Sequence, residues 1–286
     1  MTIHVIEATG APANLLAGVS NPIITPPLNA IGRPPLPYAQ GYQSSRIRQF
    51  LFQVRKDSFH YWVGAAVPEN TADFTRAQVY FHPETHRPHE WVATDADYVR
   101  FTGGWIAPPA RAVFRYVGIM GGQLAAARPM PLIVPFTTMA AVGGRAPDCM
   151  FATLPIETLN AIAIAIRAAA IPGATSPLTL ARIGVSSFSS GVHAMRTFIH
   201  QFARSGLIVE VNDFDSPFIR GEPRALPAAG GAIGRMFSQV APPSPMMGWT
   251  YMAPNRFEQI RAYSTAGVHG QLGMMSFFGA MLTTIV

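Results

Sequence analysis

Residues 181–200 read ARIGVSSFSSGVHAMRTFIH, and a change of period inside this stretch decides the fold. Ile183 to Ser186 is a short apolar run of strand type. Met195, Phe198, Ile199 and Phe202 then recur at i, i+3, i+4 and i+7, the spacing of one buried helical face. Between them lies Ser187-Phe188-Ser189-Ser190-Gly191, so strand passes into helix through a turn of small residues. A turn that sharp brings strand and helix backbones together, and small residues must stand two places before and two places after its apex. Ser187 and Gly191 flank Ser189 in this way, while Ser186, Ser187 and Ser190 are less suitably flanked rivals. A serine at the apex has its hydroxyl lifted clear, and the amide of Ser190 points into the same space from the helix N-terminus. The alternative reading is an ordinary serine-rich helix cap.

Working outward, Gly206 stops the helix and Leu207 to Val211 (LIVEV) makes the next strand. Upstream, Phe50, Phe52 and Val54 alternate as in a strand, Tyr61 to Val67 is a second β-like run, and Ala77 to Phe81 (AQVYF) is a third, ending in His82-Pro83. Val113, Tyr116, Val117, Met120 and Leu124 share a helical face, and Pro131 to Phe136 (PLIVPF) is a short apolar strand. Pro155 opens a helix through Ile166, apolar over most of its circumference and therefore expected to be buried on most sides. Strands alternating with helices at this spacing predict an α/β fold: a mostly parallel sheet with helices on both faces and an antiparallel edge from the first strands. The expected organisation is an extended Pro/Gly-rich arm over residues 1–45 and a single domain over 46–286. Residues 216–255 break the rhythm and form a candidate lid, in which Met236, Met246, Met247, Trp249 and Met252 would cover a site or else fill the core. The apolar segment Met274 to Leu282 would pack inward or line a pocket.

The small-x-Ser-x-Gly turn between strand and helix resembles the nucleophile elbow of the α/β-hydrolase superfamily, with the likeness extending over residues 46–286. Ser187 stands where the usual G-x-S-x-G pattern has its first glycine. The resemblance implies a serine hydrolase of the esterase or lipase kind, cleaving a carboxylic ester through an acyl-enzyme with no cofactor. Its partner would be a small-molecule ester or lipid substrate with an apolar acyl group. Ser189 would be the nucleophile, and the chain order Ser, acid, His then directs the search downstream. Of the histidines there, His193 lies one turn further along the same helix and His200 two turns beyond that. His269 lies in the glycine-flanked AGVHGQLG, about 80 residues past the serine, and is the expected base. For the acid, Asp215 follows the LIVEV strand in a turn with Ser216-Pro217, Asp213 is its rival, and Glu258 is more remote. The oxyanion hole would use the amide of Ser190 and a donor after the third strand, where His82-Pro83-Glu84 resembles the family's His-Gly-x. Pro83 has no amide hydrogen, so that donor would come from His82 or Glu84; alternatively, His82 packs against Trp91 or Trp105. Two other functions use the same frame: a non-catalytic binding module, and an acyltransferase with the same triad.

Composition excludes several classes. The chain has 286 residues, 49% hydrophobic and 13% charged, which suits one large folded domain and not a disordered chain. The formal charge of +6 comes from scattered arginines, with Lys56 the only lysine, so no aromatic-interleaved basic stripe for nucleic acid is present. Cys149 stands alone and can form no intrachain disulfide. His82, His86 and His89 lie in a Pro-containing loop, and no metal site is expected from them. No run reaches the ~18 apolar residues of a membrane-spanning helix. MTIHVIEATG lacks the basic and apolar regions of a signal peptide, so a cytoplasmic location is the default expectation, with secretion by another route left open. The oligomeric state is not legible.

Overall fold

The computed structural model describes residues 2–7, 47–56, 59–83, 108–136, 150–215, 231–237 and 249–252, together with 277, 280, 281 and 283–286. Among the described residues nine strands form one sheet: β1 (Thr2–Glu7), β2 (Ile47–Lys56), β3 (Phe59–Pro68), β4 (Arg76–Phe81), β5 (Leu132–Pro135), β6 (Arg182–Phe188), β7 (Ile208–Phe214), β8 (Ile233–Phe237) and β9 (Trp249–Met252). Three α-helices are described: α1 (Pro108–Ala127), α2 (Ile156–Ala170) and α3 (Val192–Phe202). The spatial order is β1-β2-β3-β5-β4-β6-β7-β8-β9. The ladders β1/β2, β2/β3 and β3/β5 are antiparallel, and every pair from β5 across to β9 is parallel. The expected mostly parallel sheet with an antiparallel edge is therefore present.

The order explains why both faces are covered. From β4 the chain passes through α1 to β5 on one side; from β5 it passes through α2 across β4 to β6 on the other. Parallel crossovers are right-handed, so connections running in opposite directions place their helices on opposite faces. On one face, Phe50, Phe52 and Val54 of β2, Val63, Ala65 and Val67 of β3, and Val79 and Phe81 of β4 pack with Leu159, Ile162 and Ile166 of α2 and Met195 and Phe198 of α3. On the other, α1 lies so close to β3 that a Cβ on Gly64 would stand 2.5 Å from Val117 Cγ2. The period-two alternation in the strands and the 3.6-residue period in α3 thus meet in one core. Helix α3 ends at Phe202 with Ala203 as its C-cap, and Gly206, expected to stop it, lies at φ +68° in the turn before β7.

Three expectations change. Helix α2 is buried on one stripe only, through Thr158, Leu159, Ile162, Ala163 and Ile166, while Ile164 remains 39% exposed. The apolar circumference of the sequence is thus wider than the fully buried stripe, with Ile156, Ala165, Ala169 and Ala170 only partly buried at its margins. Within 216–255, the stretch expected to hold a lid, Ile233–Phe237 and Trp249–Met252 are paired sheet strands, with Met236 only 2% exposed. Gly234 and Arg235 interrupt the apolar pattern of a five-residue strand, which hid it in a Gly/Pro-rich setting. The remainder of that stretch lies outside the described residues. Thr2–Glu7, from the expected arm, forms the edge strand beside β2 over six register pairs, and residues 8–46 lie outside the described residues.

Candidate active site

Topology alone points to one place. The connection leaving β4 runs toward β5 and the one leaving β6 runs toward β7, so the strand order reverses between the adjacent strands β4 and β6. In open α/β sheets the crevice outside the carboxyl ends of such a strand pair is where ligands bind. His82 follows the carboxyl end of β4, and Ser189 follows that of β6.

Ser189 begins a 3₁₀ turn, Ser189–Gly191, that connects β6 directly to α3. Its φ is +52°, the left-handed region, and its side chain is only partly buried. Among the described residues two non-glycine residues have positive φ, Ser189 and Asp215 at +49°. Such a conformation costs roughly 1–2 kcal/mol for a serine, so surrounding packing must hold it. That packing is visible at Gly191. A Cβ there would lie 2.3 Å from the Phe81 carbonyl oxygen and 2.8 Å from that of His82. The first turn of α3 therefore rests on the backbone end of β4, and only glycine fits. The aromatic cluster beneath, Phe81 with Phe198 at 5.5 Å and Phe151 with Phe198 at 5.6 Å, fixes strand and helix against each other. Ser190, at the second position of the turn, is partly buried with its neighbour.

The acidic candidates separate by place. Phe188 pairs in register with Phe214, so Ser189 and Asp215 are the next residues on adjacent parallel strands. Strand spacing of about 4.8 Å places their backbones side by side on one rim. Asp215 is 7% exposed, and its amide donates to the Phe237 carbonyl oxygen at 2.6 Å, tying the turn to β8. Asp213 lies lower, in the ladder opposite Ser187, and accepts a hydrogen bond from the Ser187 hydroxyl at 3.4 Å. Ser187 thus links β6 to β7 through its side chain.

His82 is fully buried, its ring stacked on Tyr116 at 6.3 Å and edge-on to Phe136 at 6.3 Å. The expected packing was aromatic, but Trp91 and Trp105 lie outside the described residues and the partners come from α1 and the end of β5. Nδ1 is 2.7 Å from the Pro83 carbonyl oxygen; since a carbonyl only accepts, Nδ1 carries the hydrogen and donates it. Burial lowers the pKa of His82 to about 4, against a smaller opposing effect of the Pro83 bond. The folded protein thus keeps this imidazole neutral where the unfolded chain already binds a proton. Stability is unaffected above pH ~6.5, falls as the pH drops through that value, and has lost about 3 kcal/mol from this group below pH ~4. Melting curves at pH 7 and 4.5 are expected to show a smaller acid loss in His82→Gln than in the parent chain; an equal loss in both would contradict the assignment.

The structure brings Ser189, Ser190, Asp213, Asp215 and His82 to one end of the sheet. His269, Glu84 and Glu258 lie outside the described residues, as do His86 and His89. His193 is partly buried in the first turn of α3 and His200 is exposed near its end. Among the described residues no three His, Cys, Asp or Glu side chains gather as a metal would require. No described helix is long and apolar enough to cross a membrane. Sequence reasoning missed the part played by the Phe81 and His82 carbonyls and by Tyr116 and Phe136, because nothing local marks contacts made across distant strands.

No protein-family model matches the chain, and no curated protein matches it. Solved structures similar to it include an alpha-beta serine hydrolase homologue from Coxiella burnetii, 12% identical with a TM-score of 0.41, covering 82% of this chain and 97% of that one. A cold-adapted esterase from an Arctic intertidal metagenomic library is 12% identical with a TM-score of 0.38, covering 73% of this chain and 87% of that one. The rice cell wall degrading esterase from Xanthomonas oryzae is 14% identical with a TM-score of 0.34 over 76% of this chain, which spans only 50% of that protein's length.

Proposed function

We propose that the chain is a serine hydrolase that cleaves a carboxylic ester with an apolar acyl group, using Ser189 as nucleophile, His269 as base and Asp215 as acid. The observation that carries this reading is the positive φ of a partly exposed Ser189, held at a strand-to-helix turn by the contact of Gly191 with the end of β4. A strained serine at a topological switch point has no evident structural purpose, whereas acyl transfer needs a nucleophile raised in this way. Ser189 Oγ attacks the ester carbonyl as His269 takes its proton, and Asp215 stabilises the imidazolium. The alkoxide leaves with that proton, and water, deprotonated by the same histidine, cleaves the acyl-enzyme. The amide of Ser190 and one after β4, from His82 or Glu84, hold the oxyanion, worth roughly 3 kcal/mol per donor. No cofactor takes part in these steps.

The test is turnover of p-nitrophenyl esters of graded acyl length, with and without an alcohol acceptor. A burst of p-nitrophenol followed by steady hydrolysis is expected, falling about 10⁴-fold in His269→Ala. Product formed mainly with the alcohol would make the protein an acyltransferase; no burst and no turnover would leave a non-catalytic binding module. The two aspartates are distinguished by kinetics. Asp215→Asn is expected to lower kcat by about 10⁴-fold with little effect on folding. Asp213→Asn is expected to keep more than a tenth of the activity and to lose about 1–3 kcal/mol of stability, measured by urea unfolding. The reverse ranking would make Asp213 the acid.

A further inference from the structure

Strand β7 does not pair with β6 in a single register. Ile183 is paired with Ile208, but Gly184 is paired with Glu210, so Val209 is an extra residue between two rungs of the ladder. Such a bulge breaks the alternation of side chains. Ile208 and Val211, three residues apart, both lie in the core with Ile183 and Val185, while Glu210 pairs with Gly184 on the opposite face. The extra residue decides what stands beside Ser189. Beyond it Ser187 pairs with Asp213 and Phe188 with Phe214, which brings Asp215 level with Ser189. A regular ladder continued from Ile183 and Ile208 would set Asn212 against Ser187 and Phe214 level with Ser189, and Asp213 would turn to the other face. On its far side β7 is tied more evenly. Its ladder with β8 is regular from Glu210 to Phe214, and the Asp215 amide donates to the Phe237 carbonyl oxygen. Strands β7 and β8 therefore form one unit, and the slack in register lies in the seam between β6 and β7.

Two buried side-chain contacts hold β7 above the bulge. At the lower end Glu210, with no exposure, accepts from Asn212 Nδ2 at 2.7 Å on Oε1, and the Ile285 amide and Arg235 Nη1 each lie 3.2 Å from Oε2. A slip of one position would turn this carboxylate into the apolar core, so Glu210 opposes it. Those partners belong to β7, β8 and residue 285, however, and do not grip β6. At the upper end Ser187 Oγ, on β6, donates to Asp213 Oδ1 at 3.4 Å, with both residues buried. This contact crosses the seam two residues before Ser189 on one strand and two before Asp215 on the other. We infer that Ser187 and Asp213 form a register lock that holds Asp215 beside Ser189 across the bulged seam. Both are then positioning residues. The inference rests on the assignment of Ser189 as nucleophile and Asp215 as acid made above. A lock of this kind sets how well nucleophile and acid are aligned, so it acts on kcat and leaves substrate binding alone.

The experiment compares Ser187→Ala, Ser187→Thr, Asp213→Ala and the Ser187→Ala/Asp213→Ala double variant with the parent full-length chain. Ser187→Ala removes the donor, whereas Ser187→Thr keeps a hydroxyl at the same place. Active-site titration from the p-nitrophenol burst gives the number of competent sites, and hydrogen exchange is followed in the peptide that spans β7. Expected in Ser187→Ala are a fall in kcat per titrated site of about threefold to fivefold and a KM within about twofold of the parent. Exchange over β7 is expected to be severalfold faster, and Ser187→Thr to restore both kcat and exchange. In the Asp213→Ala background, Ser187→Ala is expected to lower kcat by less than about twofold further, since the contact is already lost. Unaltered kcat per titrated site in Ser187→Ala, even with fewer sites, would overturn the inference, as would losses that simply multiply in the double variant. Should the parent chain show no burst, the earlier reading fails by itself, and exchange alone decides the lock: parent-like exchange over β7 in Ser187→Ala overturns it.

Discussion

Ser189→Ala is expected to lose ester turnover by at least about 10⁴-fold and to lose all covalent reaction with a fluorophosphonate. Removing the nucleophile deletes the acyl-enzyme route, and what remains is whatever the oxyanion donors achieve with water. The same substitution removes one hydroxyl from a partly exposed position and leaves the backbone turn in place. Melting temperature is therefore expected to change little. That pairing separates a catalytic serine from a structural one: a helix-capping serine would lose stability and keep activity. Retention of full turnover by a stably folded Ser189→Ala would show that another serine, or none, is used.

The second large effect belongs to Gly191. Gly191→Val places its Cβ 2.3 Å from the Phe81 carbonyl oxygen and its branches closer still to β4. These are backbone atoms of a buried central strand, which cannot rotate aside as the end of a flexible side chain can. Forcing strand and helix apart is expected to cost about 3 kcal/mol or more, and the elbow would open with it, so activity falls along with stability. Urea unfolding measures this as a lower midpoint at constant slope. Gly173→Ala serves as the contrast: no atom lies within 4 Å of its Cβ position, and only the strain at φ +86° remains, about 1 kcal/mol. If Gly191→Val proved no more damaging than Gly173→Ala, the tight contact that holds the elbow would not exist.

The parts of the fold that repeat were legible in the sequence. Phe50, Phe52 and Val54 alternate, Met195, Phe198, Ile199 and Phe202 share one helical face, and the structure buries all seven. The turn at Ser189 was legible because the change of period falls on a run of small residues. Strand order was not, since nothing in PLIVPF says that β5 inserts between β3 and β4. The switch point between β4 and β6, the strongest physical reason for a site there, follows from that order alone. Two strands were hidden at Ile233–Phe237 and Trp249–Met252, which are defined by pairing with β7 and with each other. The strain at Asp215 was equally invisible, because positive φ in a residue other than glycine is imposed by packing and not chosen by the residue. His82 was singled out for its place after the third strand, yet its neutral, buried state depends on Tyr116 and Phe136, far along the chain. Glu210 showed the opposite pattern: LIVEV reads as a strand with one polar interruption, and only the tertiary structure reveals the ion pair that makes a buried carboxylate acceptable there.

The most direct test is to react the intact protein with a fluorophosphonate and locate the adduct by fragmentation mass spectrometry. Cleavage after Arg182 and Arg196 yields one peptide that carries Ser186, Ser187, Ser189 and Ser190 together, so fragment ions must tell them apart. An adduct on Ser189 alone is the predicted result. An adduct on one of the other three, or no adduct on a folded protein, would contradict the assignment of Ser189 as a strained, activated nucleophile.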